Sequence, residues 1–322
     1  MQRTWSALVA SILAAGMLSA CSSSDQKLKI VSGPQGGSWY PLAGALKNIV
    51  ENSNQGVSLQ VLPGAGIANV KAVETGQAQL GFANSVSTVD AINGEAPFDA
   101  KATHVCHVAT FYPQYFQIVT VAGSGIRTPA DFRGKSLAGQ TRGNTAEAIT
   151  RQLMRVYGMS YDDLSRQNYG SYTDSVTLLK DDNAQIFTLG TTIPAGAVMD
   201  LASARDIELI EVPDDALAKM KAINGGYRRA VIPAGTYPKQ TRDIATIGYS
   251  THLIARCELD DKFIYSLLDK VYAQLDDLAA IAKALRGATP ERMGADIGVP
   301  FHPGAAQWFR ERGVKTEAGA GA

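Results

Sequence analysis

Leu28-Lys29-Ile30-Val31-Ser32-Gly33-Pro34-Gln35-Gly36-Gly37-Ser38-Trp39-Tyr40 reads as a short β-branched strand that enters a glycine turn and leaves it as a helix. A unit of this kind gathers the free N–H groups of a helix start around one small space, here with a hydroxyl and two aromatic rings beside them. The same rhythm continues outward. Pro41–Ser53 places Leu42, Leu46, Ile49 and Val50 on one helical face, Val57–Leu62 is the next strand, and Gly64-Ala65-Gly66 leads into a helix over about Ile67–Thr75. Leu80–Ala83 adds a buried strand and Val86–Asn93 a short helix. This β-α-β-α-β order implies a parallel sheet with helices on its faces.

Val105–Phe111 and Phe116–Val121 read as two further strands, separated by Tyr112-Pro113. Beyond Gly123 the pattern restarts with a strand at Ser136–Gly139, a polar glycine turn and a helix at about Thr145–Tyr157. Tyr161–Leu164 and Tyr172–Lys180 read as helical, Gln185–Leu189 as a strand, Ala195–Ala204 as a helix and Ile207–Val212 as a strand. The stretch from Ile223 to Gly248 is rich in Gly, Pro and Tyr and has weak periodicity. Ile247–Arg256 is a strand, followed by helices at Asp260–Leu275, Asp277–Leu285, Pro290–Gly294 and Ala305–Arg312. The expected fold is therefore α/β, with two lobes that are each a mostly parallel sheet flanked by helices. Phe116–Val121 and Ile247–Arg256 would be the two strands that cross between them as a hinge.

The front of the chain sets the compartment. Arg3 precedes an apolar run, Ala7–Leu18, too short for a comfortable membrane span, and Leu18-Ser19-Ala20-Cys21 follows. That pattern resembles the lipobox of bacterial lipoproteins, in which the cysteine is acylated and becomes the mature N-terminus. The expected division is a lipoprotein signal at 1–20, a tether at 21–27, lobe I at 28–117 and 249–313, lobe II at 118–248, and a tail at 314–322. The chain would be periplasmic or otherwise extracytoplasmic, held to a membrane through Cys21. Of the three cysteines, Cys106 and Cys257 remain beyond the signal; as an even pair in an oxidising compartment they form either a disulfide or two buried thiols.

Thirty basic and thirty acidic residues leave no net charge, and no Lys/Arg block stands out, so nucleic acid is not an expected partner. The chemical motifs that nearly occur fail on their chemistry. Gly134-Lys135-Ser136 ends like a phosphate-binding loop, but Pro129 stands where that loop needs glycine. Gly64-x-Gly66-x-x-Asn69 lacks the third glycine of a dinucleotide site. In His104-Val105-Cys106-His107 an extended strand turns His107 away from His104 and Cys106, and no second ligand pair occurs. There is no Gly-x-Ser-x-Gly elbow, and His252 and His302 have no evident acid/base partners in the sequence. No enzyme, cofactor or metal is expected.

What recurs is a set of polar and aromatic groups just past strand ends, where open α/β sheets bind ligands. The candidates are Gly37, Ser38, Trp39, Tyr40, Asn69, Asn84, Ser85 and Tyr112 from the first lobe, and Arg142, Asn144, Thr145 and Thr191 from the second. Arg142 stands at a helix start, where dipole and guanidinium would both attract a carboxylate; its other reading is a solvated turn residue. One of Trp39 and Tyr40 would be core and the other pocket, with Tyr40 favoured for its hydroxyl. Asn69 and Asn84 are either ligand contacts or turn caps.

Taken together, Gly36-Gly37-Ser38-Trp39-Tyr40, Gly64-Ala65-Gly66-Ile67-Ala68-Asn69, Asn144-Thr145, Ile232-Pro233-Ala234-Gly235-Thr236-Tyr237-Pro238 and His302-Pro303-Gly304-Ala305 resemble the TAXI-type solute receptors of tripartite ATP-independent periplasmic (TRAP) transporters. The resemblance runs from Lys27 to Gly313. It implies a periplasmic binding fold that closes on a small ligand and docks with membrane subunits; glutamate, glutamine and other small carboxylates are known or inferred ligands. Ala65-Gly66 in place of Gly-Ser, Gly143-Asn144-Thr145 in place of Ser-Gly-Thr, and Asn183-Ala184-Gln185-Ile186-Phe187 in place of Gly-Gln-Ile-Asp-Ala depart from the family pattern. The expected function is capture of a small organic anion (a dicarboxylate or acidic amino-acid-like solute) by a monomer that delivers it to a TRAP permease. The alternatives are a receptor of an ATP-driven importer, a ligand sensor for a histidine kinase, and, from a different class, an enzyme on the same scaffold.

Overall fold

The alternation of apolar runs and glycine turns in the first hundred residues folds in chain order as β1 (Gln26–Val31), α1 (Trp39–Ser53), β2 (Val57–Leu62), α2 (Gly66–Glu74), β3 (Leu80–Asn84) and α3 (Ser85–Asn93). This is a computed structural model, and it describes residues 26–33, 38–53 and 56–316. The export signal, Cys21 and Gly37 lie outside the described residues. β1 pairs in parallel with β2 on one side and β3 on the other, the arrangement that right-handed β-α-β crossovers produce.

β4 (Val105–Val121) then runs without a break for 17 residues. The expected interruption at Tyr112-Pro113 does not occur, and the hinge strand is the whole segment rather than Phe116–Val121. Pro113 is tolerated because it faces Ser250, whose N–H points away from β4 to Ser85 Oγ at 3.0 Å. Pro113 thus sits at a pair where neither N–H joins the two strands, so its missing donor removes no ladder bond.

The second lobe follows as β5 (Ser136–Gln140), α4 (Thr145–Val156), β6 (Arg166–Gly170), α5 (Tyr172–Lys180), β7 (Ile186–Thr191), α6 (Gly196–Ala204), β8 (Ile207–Leu209), α7 (Asp214–Ile223) and β9 (Arg228–Ile232). β10 (Ile244–Arg256) returns alongside β4, and α8 (Asp261–Ala273), α9 (Leu275–Ile281), α10 (Pro290–Met293) and α11 (Pro303–Arg310) pack back on the first lobe. Strand order in the continuous sheet is β2-β1-β3-β10-β4-β7-β5-β6, with β8 on β4 and β9 on β10. β10 and β4 are antiparallel to each other and to their neighbours β3 and β7, while each lobe's other main strands are parallel.

The helix at Tyr161–Leu164 is a single 3-10 turn, Tyr161–Asp163, and β6, α7 and β9 were not expected. One core lies between α1, the C-terminal helices and the first-lobe strands, another beneath α2 and α3, and two more on either face of the second lobe. Cys106 and Cys257 form a disulfide that joins the start of β4 to the end of β10. The two motifs that carry most of the TAXI resemblance do structural work. Tyr237 Oη donates to Gln117 Oε1 (2.6 Å) and accepts from Ala195 N (2.8 Å), fixing the start of α6 against β4. His302 caps α11, and Gly304 lets it approach α8 so closely that a Cβ would lie 2.1 Å from Asp261 O. Among the described residues no helix is long and apolar enough to cross a membrane.

Candidate functional site

Five helices begin at one place. Trp39 opens α1, Gly66 opens α2, Asn84 precedes α3, Thr145 opens α4 and Tyr172 opens α5, because every one of them follows the carboxyl end of a strand or the turn after it. Between them lies a cavity of about 60 Å³ lined by Gly33, Ser38, Trp39, Ala65, Gly66, Asn84, Gln114, Asn144, Thr145, Tyr172, Gly190 and Thr191. It continues past Ser38, Tyr172 and Thr191 into a wider mouth of about 410 Å³ walled by Thr192, Pro194–Ala197 and Asp200. Among the described residues no charged side chain lines the inner cavity. Asp200 at the mouth is paired with Lys180 at 2.9 Å.

The lobes touch across this cavity. Asn84 Nδ2 donates to Thr145 Oγ1 at 2.9 Å, Ser87 Oγ meets the same hydroxyl at 2.9 Å, and Ile67 N donates to Gly143 O at 3.2 Å. Gly66 makes that approach possible: a Cβ there would lie 2.3 Å from Thr145 Oγ1 and 3.0 Å from Asn84 Nδ2. These direct contacts between the lobes leave a space well below the roughly 300 Å³ at which small-molecule pockets begin.

The floor is a hydrogen-bonded group on the hinge. Thr251 Oγ1, on β10, accepts from Trp39 Nε1 (3.2 Å) and Gln114 Nε2 (2.6 Å). Ser38 Oγ lies 3.1 Å from Tyr112 Oη, whose pKa burial pushes up to about 12. Across the cavity Tyr172 Oη donates to Gly190 O at 2.9 Å, and burial likewise holds its pKa at about 12. Both phenols are therefore neutral hydrogen-bonding groups. Asn144 caps α4, with Oδ1 accepting from Ala146 N at 2.8 Å.

Of the candidates read from sequence, Ser38, Trp39, Asn84, Asn144, Thr145 and Thr191 line this cavity. Trp39 combines the two roles that were to be divided: it is buried in the first-lobe core and forms cavity wall, while Tyr40 points outward, 36 % exposed. Asn69 is spent internally; Oδ1 accepts from Ala65 N (3.0 Å) and Nδ2 donates to Ser32 O (2.5 Å) and Phe82 O (2.7 Å), clamping α2 to β1 and β3. Ser85 completes the β10 ladder where β3 ends, and Tyr112 lies behind Ser38 rather than at the wall. Arg142 is on the far side of the Ile67–Gly143 contact, its guanidinium 5.4 Å over the Tyr169 ring in a separate groove with Lys71, Glu147 and Arg151. The turn Thr141–Asn144 carries it outward, because Gly143, at φ 86°, reverses the backbone before Asn144 caps α4.

Gln114, Tyr172 and Gly190 were not among the candidates. Gln114 sits one residue after Pro113 in what read as a break between strands, so only the continuous β4 brings it to the site. Tyr172, directly after the cap Ser171, carried the same helix-start signal as Trp39. The buried pair His107–His252, with Nδ1 atoms 3.0 Å apart, lies on the hinge strands away from the cavity lining; burial lowers both pKa values, that of His107 to about 3.

Comparison with solved structures shows the two-lobed α/β fold of periplasmic binding proteins. An ancestral arginine-binding protein bound to arginine matches 82 % of this chain and 100 % of its own at a TM-score of 0.51 and 11 % identity. A Xanthomonas citri protein bound to chloride ion matches 88 % and 95 % at 0.50 and 10 % identity. A structure from work on glutathione import in Streptococcus mutans matches 82 % and 96 % at 0.50 and 13 % identity. Identities this low establish the fold. A family model described as NMT1-like family matches residues 30–313, nearly all of the described chain. The chain belongs to the NMT1-like family.

Proposed function

We propose that the protein is an extracytoplasmic solute receptor that closes its lobes on one small organic anion and passes it, unchanged, to a TRAP-type permease. The observation that carries this reading is the convergence of five helix amino ends on a cavity that, among the described residues, is lined by no charged side chain. Helix N-termini bring partial positive charge and backbone donors, so an anionic group is held without a cationic side chain. In this reading the helix starts replace Arg142 as the anchor. The Cys106–Cys257 disulfide suits an oxidising compartment. Attachment through Cys21, the monomeric state, and the division into lobe I (28–117 and 249–313) and lobe II (118–248) belong to the same proposal.

Delivery to a TRAP permease rests on the motif resemblance. Delivery to an ATP-driven importer is the second reading, favoured by the structural relative from work on import through a cystine ABC importer. Transport assays separate them. With the mature protein and the permease encoded beside it in proteoliposomes, uptake of the solute found by native mass spectrometry should follow an imposed ion gradient without ATP. Uptake that needs ATP would establish the second reading, and chemical conversion of the solute by the purified protein would remove the receptor reading altogether.

A further inference from the structure

Two side-chain amides at the cavity are only half used. Asn84, 7 % exposed, spends Nδ2 on Thr145, and its Oδ1 has no partner among the described residues. Gln114, 4 % exposed, spends Nε2 on Thr251, and its Oε1 has none among them either. Asn84 does not cap α3, although it stands at the N-cap position, so its side chain is free for another task. A buried acceptor without a donor is costly, and native proteins keep such groups chiefly where a ligand or water completes them.

We propose that Asn84 and Gln114 read hydrogen-bond donors on the solute, and that Asn84 couples this reading to lobe closure. The inference rests on the receptor reading above and narrows it: the solute carries hydroxyl, amino or amide N–H groups in addition to its anionic end. Asn84 Oδ1 accepts from one donor of the solute while Nδ2 of the same amide donates to Thr145 of the opposite lobe. Polarising the amide at its oxygen strengthens the bond at its nitrogen, so the solute tightens the contact that holds the lobes together. Gln114 does the same at the floor, with its nitrogen on the hinge residue Thr251. A bare dicarboxylate leaves both oxygens unpaired and facing negative charge, which disfavours it against its hydroxy or amino counterpart.

The test pairs solutes of one carbon frame: succinate, malate and aspartate, and glutarate, 2-hydroxyglutarate, glutamate and glutamine, titrated calorimetrically into mature protein freed of co-purified solute. Donor-bearing members should bind tighter than the donor-free member of the same frame, by roughly tenfold to a hundredfold. Equal affinity of succinate or glutarate overturns the inference and leaves the receptor reading intact. Failure of every compound, together with no small molecule co-purifying, overturns both.

Two variants separate reading from support, each first checked for a cooperative thermal transition. Asn84→Leu should abolish the preference between donor-bearing and donor-free members. Thr145→Val should weaken all members alike and keep the preference, since it removes the latch partner and not the reader. A preference unchanged in Asn84→Leu would show Asn84 to be structural and would overturn its role.

Discussion

Asn69 and Asn84 carry the same side chain and do opposite work. The backbone groups around Asn69 saturate it, whereas Asn84 stands where β3 gives out and one end of its amide meets the other lobe. Asp90, one helical turn and a half further on, shows how burial shapes an ionisable group at the same junction. Its carboxylate accepts from Asn224 Nδ2 of the second lobe at 2.6 Å, yet burial outweighs that bond and pushes its pKa up to about 7. The sign follows from linkage. Between the unfolded value near 4 and about 7 the folded state binds more protons than the unfolded one, so this group lowers stability as pH rises through that window. His107 and His252 act the other way: depressed in the folded state, they make unfolding take up protons, so their contribution to stability is lost as pH falls below about 6.5. Asp90→Asn should therefore be more stable than the parent by about 2–4 kcal/mol at pH 8 and nearly equal to it at pH 4. Urea midpoints at the two pH values check this, and an equal gain at both would show that the carboxylate is not the cause.

At the scale of elements, β4 and β10 hold the account together. They form the sheet's two central strands, supply Gln114 and Thr251 to the cavity floor, and are joined at their first-lobe ends by the disulfide. That bond closes a loop of sequence separation 151, so the chain-entropy treatment gives about 5 kcal/mol of stabilisation. Cys106→Ala/Cys257→Ala should lower the unfolding free energy by an amount approaching that figure. It should leave solute affinity within about twofold, since neither sulfur lines the cavity. Denaturant unfolding and calorimetry test the two halves separately. The elements that escaped the sequence did so for identifiable reasons. β6 (Arg166–Gly170) is a polar strand and β9 (Arg228–Ile232) a short one with two arginines before three apolar residues; both are extended by pairing with β5 and β10 rather than by any alternation of their own. Tyr112-Pro113 looked like a break because proline removes a donor, and only the register of Ser250 shows that no bond is lost there. α7 went unread although its signals are present: Pro213, then Asp214 and Asp215 in its first turn, with Ala216, Leu217 and Met220 on one face.

For the whole molecule, the strand–turn–helix repeat was enough to reveal two α/β lobes joined by two crossing strands, because each repeat leaves a local trace in hydrophobic pattern and glycine position. The lining of the candidate cavity was legible in part, chiefly where it obeys that repeat. Ser38, Trp39, Asn84, Asn144 and Thr145 all stand at helix starts and line the cavity. Arg142 stands at one too, but a single positive-φ glycine, Gly143, decides on which side of the lobe contact its side chain falls. No property of the residue itself announces that. Gly66 likewise looked like a turn residue, and only the opposed lobe gives it its role, as the place where Thr145 needs an absent side chain.

The central claim is that one small solute is held between lobes that meet at Gly66, Asn84 and Thr145. Native mass spectrometry of freshly purified protein identifies the solute, and isothermal titration of the stripped protein with it gives affinity and stoichiometry. One solute per chain is expected, with affinity lost by about a hundredfold or more in Gly66→Val, whose side chain keeps the lobes apart while each lobe's own core stays intact. Unchanged affinity in a Gly66→Val protein that still unfolds cooperatively would contradict the account.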